Sequence, residues 1–129
     1  MGVLRQKVSA NGAPVLFQPP VPSHLLAQYL GASDLLLIGS KHEGLPTVAL
    51  EALACGTPVV ATPVGILPEL IKPGLNGFIA HSESEFQSSV EQALCDTGWN
   101  REECRASVAM FAWQNVAPAI LEVYREITS

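Results

Sequence analysis

Residues 34–61, DLLLIGSKHEGLPTVALEALACGTPVVA, form the stretch that decides the fold class of this chain. The apolar run within residues 34–39 is typical of a strand buried on both faces of a parallel sheet. Pro46 suits the first position of a helix, where its missing N–H costs no hydrogen bond, and Gly56 is a good stop for that helix. Residues 58–61 predict the next buried strand. Strand, helix and strand in this order predict an α/β fold with a parallel sheet.

The sequence on either side continues this alternation, and the whole is a Rossmann-like pattern of a parallel sheet flanked by helices. We find no internal repeat and no clear linker, so residues 1–129 are interpreted as one domain. The further predicted elements are a strand at 15–17, a helix at 23–31 with Ser23 as N-cap, a short helix at 67–71, a strand at 77–80, two helices after the capping residues Ser82 and Asn100, and a last helix from about Val116.

Composition and charge exclude several classes of protein. The chain of 129 residues is 48% hydrophobic and 15% charged, which is a globular composition. Its net charge of −5 argues against a general nucleic-acid binder. The charge of Glu51 and several prolines interrupt the richest apolar stretch, so no membrane span is expected. Residues 1–7 lack the apolar core of a secretion signal, and Cys55, Cys95 and Cys104 lack metal-ligand spacing. These features predict a cytoplasmic protein with reduced thiols.

The loop at residues 40–44 is the candidate binding site. It follows a strand of a parallel sheet, and such sheets bind ligands beyond the carboxyl ends of their strands. The helix that begins near Thr47 offers free N–H groups, for which a diphosphate is the natural guest. Glu51 is on the same helix face as Thr47, about 6 Å further along the axis, a distance that suits a ribose. Glu43 is on the other side of the phosphate position, where a transferred sugar would lie.

Two plainer interpretations compete with this one. Glu51 could be a solvated helix residue, and Glu43 could be an acid favoured near a helix N-terminus. Against them, Glu51 stands in an otherwise apolar helix, so we expect its carboxylate to need a partner or a ligand. His42 could serve as an acid or base, although an exposed loop histidine is the preferred interpretation.

The motif Ser40-x-x-Glu43-Gly44, followed by Glu51-Ala52-x-Ala54-Cys55-Gly56-Thr57-Pro58-Val59-Val60-Ala61, closely resembles the E-x7-E region of retaining glycosyltransferases with the GT-B fold, group 1 or family 4. The likeness continues through Val64-Gly65, Pro68-Glu69 and Asn76-Gly77-Phe78. It covers nearly the whole chain from about Val15. It implies a partial GT-B C-terminal domain, which binds the nucleotide-sugar donor. Such enzymes transfer a sugar from a nucleoside diphosphate to an acceptor with retention.

The resemblance also implies roles for single residues. Glu43 would be the catalytic residue that meets the donor sugar, with the backbone of Gly44 and Leu45 beside it. Thr47 and Val48 would face the diphosphate, and Glu51 would hold the ribose. Ser40 would be structural and would end the strand. No metal ligand and no cofactor is expected besides the donor substrate.

The chain departs from the family pattern in two ways. Ile66 follows Gly65 where a second glycine is common. The Arg and Lys that neutralise the diphosphate in the family are also not matched, because Arg5 and Lys7 do not stand in that context. By resemblance, the acceptor-binding N-terminal domain of the family is expected to lie outside these residues.

We therefore expect the isolated chain to bind donor weakly, to be inactive alone and to self-associate through an exposed sheet edge and apolar surface. Two alternatives stay open: a non-catalytic nucleotide-sugar-binding subunit completed by a partner chain, and a truncated inactive fragment. A position at the inner face of a membrane is also left open by the resemblance, since related enzymes often use lipid acceptors.

Overall fold

The computed structural model describes residue 12, residues 14–96 and residues 98–128. Arg5 and Lys7 lie outside the described residues, as does the segment compared with a secretion signal. Within the described part, no helix is both long and apolar enough to cross a membrane.

In the described residues, one sheet of three parallel strands forms the centre of the fold. The strands are β1 (Leu36–Ile38), β2 (Val59–Ala61) and β3 (Gly77–Ile79), in the order β1-β2-β3. Val59 lies at the register position of Leu36 on one side and of Gly77 on the other. The predicted α/β fold with a parallel, Rossmann-like sheet is thus confirmed.

The helices alternate with these strands and then follow them. They are α1 (Ser23–Ala32), α2 (Thr47–Ala54), α3 (Leu67–Leu70), α4 (Glu83–Cys95), α5 (Arg101–Ala106), a 3-10 turn (Ala109–Phe111) and α6 (Trp113–Thr128). Two predicted capping residues are confirmed. The side chain of Ser82 accepts a hydrogen bond from the Glu85 N–H, and that of Asn100 accepts from the N–H groups of Glu102 and Glu103.

Several predicted boundaries are wrong. Residues 15–17 form no strand, and Val15 and Leu16 are exposed, because no described strand lies beside them to complete a ladder. Helix α1 has Pro22, not Ser23, at its N-cap position, and it ends one residue beyond Gly31. Helix α6 begins at Trp113 and continues through Pro118.

The prediction that the strands are buried on both faces is confirmed for β2 and wrong for β1. All three residues of β2 are fully buried, because β2 has a strand on each side and α4 packs on it. β1 is an edge strand of the described sheet, so Leu37 remains 50% exposed although Ile38 is buried. The apolar run in the sequence does not distinguish these two environments.

A buried polar side chain connects the sheet to the C-terminal half. Asn76, which precedes β3, is fully buried and donates hydrogen bonds to the Leu70 carbonyl (3.1 Å) and the Ser107 hydroxyl (2.9 Å). Its Oδ1 accepts from the Lys72 N–H at 2.7 Å.

The next residue, Gly77, has a φ of +155°, and a Cβ there would lie 1.8 Å from the Val59 carbonyl oxygen. Close approach of the backbone of β2 therefore requires glycine at this position.

Candidate functional site

The predicted binding loop, residues 40–44, lies against the turn that follows β2. Thr62 begins this turn, and its N–H donates to the Ile38 carbonyl at 3.0 Å. The Thr62 hydroxyl contacts the Ser40 carbonyl at 2.5 Å and the Ile38 carbonyl at 3.3 Å. Further along, the Ile66 N–H donates to the Gly44 carbonyl at 3.2 Å. The two segments that leave the carboxyl ends of β1 and β2 are thus joined at both ends of the loop.

The turn requires glycine at position 65. Gly65 has a φ of +53°, and a Cβ there would lie 1.9 Å from the Gly44 carbonyl oxygen and 2.7 Å from that of Glu43. Ile66, by contrast, has a negative φ of −81° with a ψ of −6°, a conformation that does not require glycine. The isoleucine in place of a second glycine is therefore accommodated, and α3 follows it intact.

An open cavity of about 630 Å³ lies between the loop and the turn. Its lining residues are Lys41, His42, Glu43, Gly44, Pro63, Val64 and Gly65. Glu43 is exposed, and its Oε1 accepts a hydrogen bond from the Ser40 hydroxyl at 2.9 Å. Ser40 therefore orients this carboxylate, a contact that sequence reasoning missed. Apart from its neighbours in the chain, no atom of the part of the protein that the structure describes lies within 4 Å of a Cβ built at Gly44, so that side of the loop is open space.

The N-terminus of α2 is adjacent in sequence and carries no cap. The helix begins at Thr47, with Pro46 one position earlier than predicted for it, and no side chain accepts from its first N–H groups. Among the described residues, the N–H groups of Thr47 and Val48 have no acceptor, whereas that of Ala49 donates to the Pro46 carbonyl. Thr47 and Leu45 are exposed and Val48 is half-buried. This helix start can receive an anion.

Glu51 shares the exposed stripe of α2 with Thr47, as predicted from their spacing. Its side chain is exposed and contacts no hydrogen-bonding or charged partner among the described residues. No partner among the described residues satisfies this carboxylate, because the helix presents Glu51 on the side that no other element covers, so its need for a ligand stays a prediction. Glu51 lines a second cavity, of about 300 Å³, with mainly apolar walls and Arg105 among its lining residues.

The structure thus places the two glutamates in different cavities. Glu43 and Gly44 share the first cavity with Lys41 and His42, while Glu51 belongs to the second. Binding of one ligand by Glu43, Leu45, Thr47, Val48 and Glu51 together stays a prediction. Such joint binding requires a ligand that extends from the loop along the exposed stripe of α2.

The remaining titratable groups contribute little to this site. In the described part of the chain, no group of three or more His, Cys, Asp or Glu side chains could hold a metal ion. Cys104 is fully buried in the core, and its thiol donates to the Leu75 carbonyl at 3.6 Å. Burial raises the pKa of this thiol above its ordinary value, and the Glu103 carboxylate adds to the rise. Such a thiol is inert rather than nucleophilic.

Comparison with known proteins identifies the relatives of this chain. The profile of the family described as "Glycosyl transferases group 1" matches residues 7–107. A protein of Acidothermus cellulolyticus named D-inositol 3-phosphate glycosyltransferase is 36% identical over 117 residues, which are 87% of this chain and 26% of that protein. A protein of the same name from Paenarthrobacter aurescens is 39% identical over 121 residues, which are 89% of this chain and 29% of that protein.

Solved structures agree with the sequence comparisons. Sucrose-phosphate synthase of Thermosynechococcus elongatus superposes with a TM-score of 0.87 at 28% identity, covering 97% of this chain and 33% of that one. HepE of Anabaena, crystallised in complex with UDP and glucose, superposes with a TM-score of 0.76 at 25% identity, covering 98% of this chain and 36% of that one. The predicted GT-B fold is confirmed, and the chain spans about a quarter to a third of the length of these relatives.

Proposed function

Because this chain belongs to group 1 of the glycosyl transferases, we propose that it forms the donor-binding part of an enzyme that transfers a sugar from a nucleoside diphosphate to an acceptor with retention. The acceptor site and the remaining catalytic groups come from protein outside the matched region. The isolated chain is then a weak donor binder without transfer activity. The nucleotide sugar is the donor substrate, and the proposal requires no cofactor besides it.

The observation that carries the proposal is the arrangement around the loop at residues 40–44. The Glu43 carboxylate borders an open cavity, and the uncapped N-terminus of α2 follows within the same segment. Both lie beyond the carboxyl ends of parallel strands, where such sheets bind nucleotides. A helix N-terminus supplies N–H groups and a positive dipole end to phosphate, and a carboxylate accepts hydrogen bonds from sugar hydroxyls.

The proposed roles follow the chain from the sugar to the nucleoside. Glu43 accepts hydrogen bonds from hydroxyls of the donor sugar and stabilises positive charge that develops at the anomeric carbon. The backbone of Gly44 and Leu45 lies beside the sugar. Thr47 and Val48 contact the diphosphate, and Glu51, about 6 Å further along the helix axis, accepts the ribose hydroxyls.

The comparisons support the ligand class. HepE, whose fold matches this chain, was crystallised with UDP and glucose, and the sequence relatives are named glycosyltransferases. The test uses several nucleotides that differ in their base.

Titration of the chain with UDP, GDP and ADP, followed by amide NMR shifts, tests the proposal. At least one nucleotide should shift the amides of residues 44–51 at millimolar concentration. Glu51→Gln should weaken that binding about three- to tenfold, since the amide oxygen of glutamine still accepts a hydrogen bond but without the charge that strengthens it. Glu122→Gln removes the same charge from an exposed position on α6 and should change nothing. Absence of shifts around residues 44–51 with all three nucleotides would contradict the proposal.

The proposed independence from metal and the role of Glu43 need separate measurements. Nucleotide affinity should be the same in the presence of magnesium and of EDTA, and a large gain with magnesium would contradict the prediction. Glu43→Gln should leave affinity for the nucleoside diphosphate unchanged, because the side chain lies at the sugar. In the enzyme completed by its remaining domain, the same change should lower the transfer rate far more than donor binding.

A further inference from the structure

We propose that Thr62 and Gly65 are positioning residues for Glu43. Together with Ile66, they form a clasp, residues 62–66, that holds the loop at residues 40–44 at both of its ends. The part of this inference that concerns the donor sugar rests on the proposed function. The clasp itself is a property of the free protein and can be tested without ligand.

The loop makes little contact of its own with the protein. Lys41, His42, Glu43 and Gly44 are all exposed. Among the described residues, the Glu43 carboxylate is held only by Ser40, three residues earlier in the same loop, at 2.9 Å. A segment exposed in this way is ordinarily among the most mobile parts of a protein. Its position must therefore come from the backbone atoms at its ends.

Thr62 holds the first end. The chain leaves β1 at Ile38, and the Thr62 N–H and hydroxyl both reach the Ile38 carbonyl, at 3.0 and 3.3 Å. The hydroxyl also reaches the Ser40 carbonyl at 2.5 Å. Thr62 is half-buried, so these bonds are partly shielded from competition with water. One side chain thereby determines the direction in which the loop departs from the sheet.

Gly65 and Ile66 hold the second end. The Ile66 N–H donates to the Gly44 carbonyl at 3.2 Å. The backbone of Gly65 approaches so closely that a Cβ would lie 1.9 Å from the same carbonyl oxygen. Glu43 lies between the two held ends, and its carboxylate borders the cavity formed by the loop and the clasp. Loosening either end moves the carboxylate relative to α2, where the phosphates are proposed to bind.

This arrangement separates two contributions to donor affinity. The nucleoside diphosphate is proposed to contact α2, which its own buried residues Ala49, Ala52 and Leu53 anchor in the core, whereas the sugar is proposed to contact Glu43. Loss of the clasp should therefore reduce the gain in affinity that a sugar adds to the nucleotide. Affinity for the nucleotide alone should stay the same.

The test compares Thr62→Val with Thr62→Ser and Thr57→Val in the full chain. Valine keeps the shape of threonine but loses the hydroxyl, and serine restores the hydroxyl. Thr57 is the matched control, since its hydroxyl donates to the Leu30 carbonyl at 2.6 Å before β2, at the opposite end of the sheet. The first readout is exchange of the Ile66 amide without ligand. In Thr62→Val, exchange of the Ile66 amide should accelerate about three- to tenfold, which is the effect of one net hydrogen bond. In the other two variants, the exchange rate should be unchanged once any change in the free energy of global unfolding is taken into account.

The second readout is the ratio of affinities for UDP-glucose and UDP, the pair represented by the HepE complex. Thr62→Val should lower this ratio and leave UDP affinity unaltered, and Thr62→Ser should restore it. If the parent chain binds neither compound, the proposed function fails for this donor while Ile66 exchange still decides the clasp. Unchanged Ile66 exchange in Thr62→Val, or an equal change in Thr57→Val, would overturn the inference.

A second pair of variants keeps the test decisive if Thr62→Val does not fold. Gly65→Ala places a methyl group against the Gly44 carbonyl, and Gly74→Ala is its control. Gly74 also has a positive φ, +75°, but no atom of a described residue beyond its neighbours in the chain lies within 4 Å of a Cβ there. Both changes strain the backbone, so only the contact with the loop differs. Amide shifts of residues 41–44 should change in Gly65→Ala and not in Gly74→Ala, and equal shifts in both would contradict the clasp.

Discussion

The α2–β2 unit and helix α6 both have conspicuous apolar sequence, but their surroundings are opposite. In α2, Ala49, Ala52 and Leu53 are fully buried, as is all of β2. In α6, a helix of 16 residues, no residue is buried, and Trp113 and Ile127 are about three-quarters exposed at 74% and 76%. The 3-10 turn before it is its main contact among the described elements.

This difference separates the part of the chain that stabilises itself from the part that does not. Helix α2 is apolar on every side that other elements cover, which is typical of a helix inside a domain. Helix α6 carries a single apolar stripe, which is typical of a helix that packs on one neighbouring surface. Since this chain spans a quarter to a third of its relatives, that surface need not belong to the described residues.

The largest expected effect comes from one substitution made in each region. Leu53→Ala should lower the free energy of unfolding by about 2–5 kcal/mol, because it removes a fully buried side chain. Leu121→Ala, at a residue of α6 that is 54% exposed, should change it by less than about 0.5 kcal/mol. Urea unfolding measures both. A comparable loss of unfolding free energy in Leu121→Ala would contradict the prediction, since it would mean that α6 packs against another surface in solution.

An intermediate effect is expected on self-association. We predict that the isolated chain associates through the apolar stripe of α6 and the open edge of β1. Val123→Glu should raise the apparent dissociation constant about tenfold or more, because an unpaired carboxylate is costly to bury. Gln114→Glu, which adds the same charge at a polar position of α6, is the control. Light scattering measures the mass, and a monodisperse monomer for the unchanged chain would contradict the prediction.

The smallest expected effect is a pH dependence of stability that comes from one buried thiol of the core. Burial raises the pKa of Cys104 above its ordinary value of 9.0. As pH rises past 9.0, the unfolded chain ionises this thiol while the folded chain keeps it protonated, so stability declines with a slope of at most about 1.4 kcal/mol per pH unit. Below that pH the contribution is complete and constant. Cys104→Ala should remove this part of the slope, and Cys95→Ala, at an exposed thiol, should retain it. Urea midpoints between pH 8 and 10 measure the difference.

Local signals explain why much of the fold is predictable from sequence. Gly56 ends α2 with a φ of +80°, and Ser82 and Asn100 cap their helices through side-chain contacts within three residues. Such contacts involve neighbours in the chain, so the pattern of residues contains them. The candidate loop is predictable for the same reason, because a strand, a glycine and a helix start succeed one another within residues 36–47.

Nonlocal contacts explain what the sequence could not provide. The hydroxyl of Thr62 reaches a carbonyl 22 residues away, and nothing in the local pattern distinguishes it from any threonine after a strand. Leu37 stands in a run as apolar as that of β2, yet it is half exposed because β1 has a described neighbour on one side only. The strand predicted at residues 15–17 does not form for a similar reason, because no described strand lies beside it.

The sequence by itself determined the α/β class, the candidate loop, the uncapped start of α2 and the shared face of Thr47 and Glu51, since backbone geometry and helical period depend on neighbouring residues. Only the tertiary structure decided that Glu43 and Glu51 border different cavities and that Glu51 is exposed. It also decided that the Glu43 loop is held by the turn after β2. Such relations depend on which segments pack side by side, and that follows from burial across the whole chain rather than from any one stretch.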